Sequence, residues 1–187
     1  SPPSHYKDEA PELVEILNGA AKSCPQTLLE LGCGGGSMAY HLKHHFTLTL
    51  TDRSLQMLAV SQAVNPECEH QLGDMRTLEL RRQFDAVLIH DAIMYATSRS
   101  DVRATLHTAF RHCRPGGALV VMTDYVAEPF KPASSVGGED GADGRGLRFV
   151  EWTWDPDPSD DTYEVAFAFL LRHADGTVST DNDFHRL

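Results

Sequence analysis

The residues best placed by type and spacing to do chemistry begin at Glu30. The run LLELGCGGGS sets Glu30, Gly32, Gly34 and Gly36 at alternate positions, directly after an apolar stretch. Glycine permits positive φ and, having no side chain, lets a ligand lie against the backbone. Amides at the start of a following helix then face that ligand. Asp52 closes the next apolar run, 20 residues past Gly32, where a carboxylate can accept hydrogen bonds from both hydroxyls of a ribose. Together these features point to a nucleoside-containing cofactor, against the bland reading of a tight glycine turn with no ligand. A dinucleotide loop wants glycine or alanine where Ser37 stands, and Glu30 sits badly beside a pyrophosphate. A carboxylate there suits a ligand bearing an ammonium group.

The elements that must hold these residues alternate. Residues 9–24 read as a helix with Leu13, Ile16, Leu17, Ala20 and Ala21 at helical spacing, stopped by Pro25. Residues 27–31 read as a strand, and Ser37 as the cap of a helix running to about His44. A strand over 46–51 and a helix over 54–64 follow, the helix with Leu55, Leu58 and Gln62 on one side. Residues 70–72 make a weak strand and 84–89 (FDAVLI) the clearest buried one, with His90 and Asp91 at its end. A helix over 101–113, with Val102, Leu106, Ala109 and Phe110 inward, leads to a strand over 118–123 that ends at Asp124 and Tyr125. The alternation predicts an α/β fold, a Rossmann-like, doubly wound and mostly parallel sheet covered on both faces.

Past Asp124 the texture changes. Residues 134–146 (SSVGGEDGADGRG) hold five glycines and four charged residues and read as a flexible loop. Stretches at 147–154, 163–173 and 177–187, joined by short turns, predict an appended antiparallel β-meander. Phe149, Trp152, Trp154, Tyr163, Phe167 and Phe169 alternate with polar residues, which predicts one apolar and one acidic face. The expected organisation is a cofactor-binding core over 1–130, a flexible Gly/Asp-rich loop over 131–146 and the meander over 147–187.

Composition bounds the partners. The chain has 187 residues and a formal net charge of −11. Residues 1–150 carry 18 acids against 14 bases, whereas 151–187 carry 9 against 2. That balance argues against nucleic-acid binding, where each phosphate contact needs a lysine or arginine. No apolar run approaches the roughly 18 residues of a membrane span. The first residues (Ser1, Pro2, Pro3, Ser4, His5) show no basic region followed by an apolar stretch, so no signal peptide is expected. Cys24, Cys33, Cys68 and Cys113 form no C-x-x-C pair, so neither disulfide nor zinc is expected and a reducing cytoplasm fits. His41, His44 and His45 share a helical face but lack a carboxylate motif beside them, and no metal is expected.

Taken in order, LLELGCGGGSMAYHL, the FTLTLTD strand end, GDM at 73–75, FDAVLIHDAIMY and RPGGALVV resemble the motifs of class I S-adenosylmethionine-dependent methyltransferases over about residues 9–124. The antiparallel insertion after the fifth strand resembles the small-molecule N-methyltransferases acting on amino sugars. The resemblance implies S-adenosylmethionine as cofactor, a small-molecule acceptor, and amine nitrogen over oxygen. It also implies that Glu30, Gly32, Cys33 and Gly34 line the methionine part and that Gly36 allows close packing. Asp52 would hold the ribose and Arg53 flank the adenine. Asp74 would accept the adenine amino group beside the Met75 amide, and His90 would close over the sulfonium side. Members of that family usually continue with another helix and two strands, which this chain lacks before Leu187. The meander is then expected to cap the substrate pocket or to form a homodimer interface.

The sulfonium methyl is already activated, so placement of the nucleophile is the main task. If a proton must be removed, His90 is the first candidate base and Asp91 its neighbour, with packing as His90's alternative role. Tyr95, Asp124 and Tyr125 are candidates to meet substrate, and Asp91 or Asp124 to pair with a cationic amine. The absence of an Asn/Asp-Pro-Pro-Tyr/Phe motif and of a Pro-Cys dipeptide disfavours nucleic-acid bases as acceptors. Two readings stand beside the methyltransferase: a nicotinamide-dependent oxidoreductase and a non-catalytic cofactor-binding or interaction module. An NADH fluorescence titration separates the first; saturable quenching by NADH is expected only for the oxidoreductase.

Overall fold

The computed structural model describes residues 2–123 and 130–187 and divides the chain into two compact units, 1–124 and 125–187. In the first unit, β1 (Thr27–Leu31), β2 (Thr47–Asp52), β3 (Glu69–Leu72), β4 (Phe84–His90) and β5 (Cys113–Met122) form one parallel sheet in the order β3-β2-β1-β4-β5. The helix α1 (Glu9–Ala20) precedes β1, and α2 (Ala39–Leu42), α3 (Leu55–Val64) and α4 (Arg99–His112) lie between strands in sequence. The interior strand β4 (FDAVLIH) is buried at all seven positions, as its apolar stretch from Ala86 to Ile89 requires, while the polar β3 (EHQL) sits at the edge.

Strand periodicity decides which side chains share a face. Leu28 and Leu88 join Leu13 and Leu17 of α1 in one core, whereas Leu29, Leu31, Val87 and Ile89 join Ala109 of α4 in the other. Glu30 and His90, two residues along from Leu28 and Leu88, therefore fall on the α1 face.

The helices depart from their expected faces in informative ways. α1 ends at Ala20 rather than near Pro25, and Ile16 is exposed. Beyond it, Lys22 donates to the Gly116 carbonyl, and Asp85 accepts the Gln26 and Thr27 amides at the start of β1. Ser37 does not cap α2, whose cap position is Met38. In α3, Ser54 caps the helix, Leu55 is exposed, and the buried positions are Leu58 and Ser61. In α4, Leu106 and Phe110 are exposed, and the inward residues are Thr105, Thr108, Ala109 and His112. Three of those four are polar. Thr108 donates to the Arg76 carbonyl and His112 Nε2 accepts the Leu80 amide, so the helix is seated by hydrogen bonds.

The second unit is an antiparallel meander of four strands, β6 (Ala133–Asp140), β7 (Gly146–Trp154), β8 (Glu164–Arg172) and β9 (Val178–Arg186), in that order. The stretch read as a flexible loop is thus largely β6, with a tight turn after it. Gly137 lies under the Phe149 ring and Gly138 against the β7 backbone, where a Cβ would collide. These glycines serve cross-strand packing, and Asp140 pairs with both Arg148 and Arg172.

The aromatic residues also divide otherwise than expected. Register puts Phe149, Phe167 and Phe169 on one face with Glu151, Asp181 and Asp183, and Val150, Trp152, Ala166, Leu170 and Phe184 on the other. Each face mixes apolar and polar groups. Among the described residues, no helix is long and apolar enough to cross a membrane.

Asn65, fully buried after α3, donates to the Gly36 carbonyl and ties that helix to the glycine loop. Asn65→Ala removes that tie, leaving the Gly36 carbonyl the Tyr40 amide alone, and should cost about 0.5–1.5 kcal/mol. Thermal unfolding checks it; an unchanged midpoint would show that the tie contributes nothing.

Candidate active site

Where β1 ends, Gly32 and Cys33 donate their amides to the Thr51 carbonyl at 2.8 and 2.9 Å, so the loop starts from the neighbouring strand β2. Gly32, Gly34 and Gly36 all have positive φ, at 76°, 52° and 75°. Space treats them differently. A Cβ on Gly32 would overlap Ala92, and one on Gly36 would overlap Ser61 and Asn65, whereas nothing lies within 4 Å of the Gly34 position. Gly34 is thus the point where a ligand can lie against the backbone.

Asp52 fastens this loop. Its Oδ2 accepts the Gly34 amide at 2.9 Å and its Oδ1 the Ser54 amide at 2.8 Å. A carboxylate has about four acceptor sites, so both oxygens retain capacity for ribose hydroxyls. The Gly73 amide donates to the Asp52 carbonyl at 3.0 Å, which brings the 73–75 turn alongside. There the expected adenine contact is already engaged. Asp74 accepts from Arg76 Nε at 2.9 Å, Nη2 at 2.6 Å and the Arg76 amide at 2.8 Å. The Arg76 guanidinium holds the Asp74 carboxyl below the usual carboxylate range. Arg53 is exposed, though its charge reaches Asp74, and the Met75 side chain packs into the second core cluster.

Glu30 carries the most unusual environment. It is 2% exposed and its Oε2 has no hydrogen-bond partner. Burial pushes its carboxyl up to about 7, with His90 opposing and Asp52 reinforcing the rise. Burial, then Glu30 and Asp52, also push the Cys33 thiol up, so Cys33 stays protonated and serves as a small apolar residue.

His90, 8% exposed at the end of β4, donates from Nε2 to Glu9 Oε1 of α1 at 2.8 Å. Its Nδ1 lies 3.4 Å from Asp91 Oδ2, and the Tyr6 ring meets it edge-on at 5.3 Å. Asp91 has φ 56°, a left-handed conformation that costs energy for a residue other than glycine and clusters at functional sites. It starts the short 3-10 turn Ala92–Tyr95, on which Tyr95 is exposed. Asp124 and Tyr125 lie outside the described residues.

The fold therefore gathers Glu30, the glycine loop, Asp52, His90 and Asp91, while Arg53 and Tyr95 face solvent. Glu9 and Tyr6 escaped the sequence reading. Glu9 is 81 residues from its partner His90, and no local spacing signals that contact. Among the described residues, no three His, Cys, Asp or Glu side chains are grouped to hold a metal ion. A buried carboxylate oxygen without a partner, beside an open glycine backbone and a ribose-type acid, fits a nucleoside ligand with an ammonium group.

A model of the methyltransferase domain matches residues 28–117. The chain is 26% identical over 184 residues to dTDP-3-amino-3,6-dideoxy-alpha-D-glucopyranose N,N-dimethyltransferase of Streptomyces fradiae, covering 97% of this chain and 71% of that protein. It is 29% identical over 128 residues to dTDP-3-amino-3,4,6-trideoxy-alpha-D-glucopyranose N,N-dimethyltransferase of Streptomyces venezuelae, covering 66% of this chain and 54% of that one. DesVI of Streptomyces venezuelae shares the fold with a TM-score of 0.87 at 22% identity, over 97% of this chain and 76% of that one. CalS10, a SAM-bound amino pentose methyltransferase from Micromonospora echinaspora involved in calicheamicin biosynthesis, gives a TM-score of 0.79 at 25% identity over the same shares.

The raised Glu30 carboxyl has a thermodynamic consequence. Its folded value of about 7 exceeds the ordinary 4.5, so its stabilising contribution is complete below about pH 4.5 and is lost as pH rises through 7. Glu30→Gln should unfold at the wild-type midpoint near pH 4.5 but be more stable at pH 8, by on the order of 2–3 kcal/mol. Parallel stability curves from pH 4.5 to 8 would contradict this environment. Asp52→Ala removes the acceptor of the Gly34 amide and should weaken ligand binding at least tenfold, about 1.4 kcal/mol, by calorimetry. Unchanged affinity would refute its role.

Proposed function

We propose that the chain, whose residues 28–117 match a model of the methyltransferase domain, transfers a methyl group from S-adenosylmethionine to the amine nitrogen of a small molecule. The observation that carries the reading is Glu30: a buried carboxylate with an unpartnered oxygen behind three positive-φ glycines. A carboxylate so placed answers the methionyl ammonium, a group that a nicotinamide dinucleotide lacks.

When bound, S-adenosylmethionine supplies a methyl group on a cationic sulfur that departs as a neutral thioether. The chain's own residues bind and orient. Glu30 takes the ammonium, the backbone at Gly32, Cys33 and Gly34 lines the methionine part, and Asp52 takes the ribose. Arg53, Asp74 and Met75 meet the adenine end, with Asp74 acting together with Arg76. His90 closes the sulfonium side. A neutral amine attacks through its own lone pair, so positioning rather than proton removal carries the rate. The bond from Nε2 to Glu9 supports an orienting role for His90 over that of a free base. Asp91 and Tyr95 stand on the acceptor side, Asp91 as the carboxylate that answers the positive charge developing on the nitrogen as it is methylated.

The two curated relatives, by their names, methylate dTDP-linked amino sugars, and this supports a nucleotide-linked amino sugar as the acceptor class. Val150, Trp152, Leu170 and Phe184 on one face of the second unit are each about half exposed. They support self-association, which sedimentation velocity at tens of micromolar would reveal as a dimer and refute as a monomer. The four free cysteines suit a reducing compartment such as the cytoplasm.

Calorimetry with S-adenosylhomocysteine should give micromolar binding. Incubation with S-adenosylmethionine and a panel of dTDP-amino sugars should add one methyl mass unit at nitrogen. Absence of cofactor binding sinks the reading, and binding without turnover on any amine leaves the non-catalytic module standing.

A further inference from the structure

We infer that Glu9 is a positioning residue for the cofactor pocket, acting through His90. The contact joins the first turn of α1 to the end of β4. Glu9 Oε1 accepts the Nε2 proton at 2.8 Å, and the imidazole is buried while Glu9 is about one-third exposed. The helix start favours a carboxylate at this position, since its unpaired amides carry partial positive charge. The ring is held from other sides as well. Tyr6 meets it edge-on at an interplanar angle of 81°, and Asp91 Oδ2 faces Nδ1.

The segment bearing Tyr6 is itself anchored. It forms the 3-10 turn Pro3–Tyr6, and His41 Nε2 lies 2.7 Å from the Pro3 carbonyl. A ring between Glu9, Asp91 and Tyr6 cannot rotate without breaking the Glu9 bond. Engagement of Nε2 by Glu9 also withdraws that nitrogen from proton abstraction.

What this orientation governs is Glu30. His90 opposes, and Asp52 from β2 reinforces, the upward push on the Glu30 carboxyl. Glu30 and His90 share the α1 face of neighbouring strands, with Glu30 level with Leu88 and His90 two residues further on. The groups facing His90 are thus Glu9 from α1, Tyr6 from the preceding turn, Asp91 from the loop after β4 and Glu30 from β1. Removing Glu9 releases the ring, and the electrostatic partner of Glu30 is then no longer fixed. The N-terminal helix becomes part of the cofactor site at a distance.

This inference takes its ligand from the methyl-transfer reading, and a double-mutant cycle tests it in the whole chain. S-adenosylhomocysteine affinity is measured by calorimetry for wild type, Glu9→Gln, Glu9→Ala, His90→Phe and the Glu9→Ala/His90→Phe pair. Glu9→Ala should weaken binding about tenfold, within the coupling range of contacting residues. Glu9→Gln, which keeps an acceptor oxygen, should recover part of that loss. In the His90→Phe background, Glu9→Ala should cost nothing further. An equal cost in both backgrounds, or full affinity in Glu9→Ala, overturns the inference. Side-chain 15N shifts of His90 in the ligand-free protein give a second arm. Wild type should show Nε2 protonated and Glu9→Ala a mixture of tautomers. Identical spectra overturn the proposal even if wild type binds no cofactor, an outcome that would separately defeat the methyl-transfer reading.

Discussion

A single carboxyl group buried without a full set of hydrogen bonds sets the terms for the rest of the site. Leaving an acceptor in the interior unpaired is costly, and ionising it there costs more. The fold meets this with neighbours of mixed sign: His90 draws the Glu30 carboxyl toward ionisation, and Asp52 pushes it back. The result is an acid poised near neutrality, unstable as an isolated anion and satisfied by a cation from outside. Stability and binding are thus opposed at one atom, as is common where a protein holds a group ready for a ligand.

Around that atom the parts interlock by hydrogen bonds more than by apolar packing. Asp52 holds the loop at Gly34 and the entry to α3 at Ser54. Ser61 and Asn65 on the far side of α3 meet Gly36. The glycine loop is therefore clamped from β2 and from α3, which leaves Gly34 as its open point. The left-handed Asp91 at the end of β4 re-aims the chain so that His90 and the following turn face different neighbours.

Much of the core was legible from sequence because strands advertise themselves by runs. TLLEL and FDAVLIH are too apolar for an edge, and β1 lies where its pattern predicts. The glycine spacing and Asp52 fall together as expected, since both sit at carboxyl ends of adjacent parallel strands. Helix faces were less legible. Ser61, Thr105, Thr108 and His112 are buried because each suits a tertiary environment, and periodicity scores them as solvent-facing. Leu55 and Phe110 failed in the opposite direction. Gly137 and Gly138 read as loop because the Phe149 ring that explains them is on another strand. The claim of Arg76 on Asp74, two residues away, was likewise not visible. Glu9 lay beyond reach, its meaning resting on a contact between distant segments.

The missing side chain of Gly32 also binds two distant positions into one unit of variation. A Cβ at Gly32 would overlap the Ala92 methyl, so position 32 has no room for an added carbon while alanine stands at 92. The positive φ at 32 adds its own penalty to that collision. What position 32 accepts therefore depends on the residue at 92, and growth at 32 is barred while alanine stands there. The path of the glycine loop is set in part by an alanine methyl from the turn after β4.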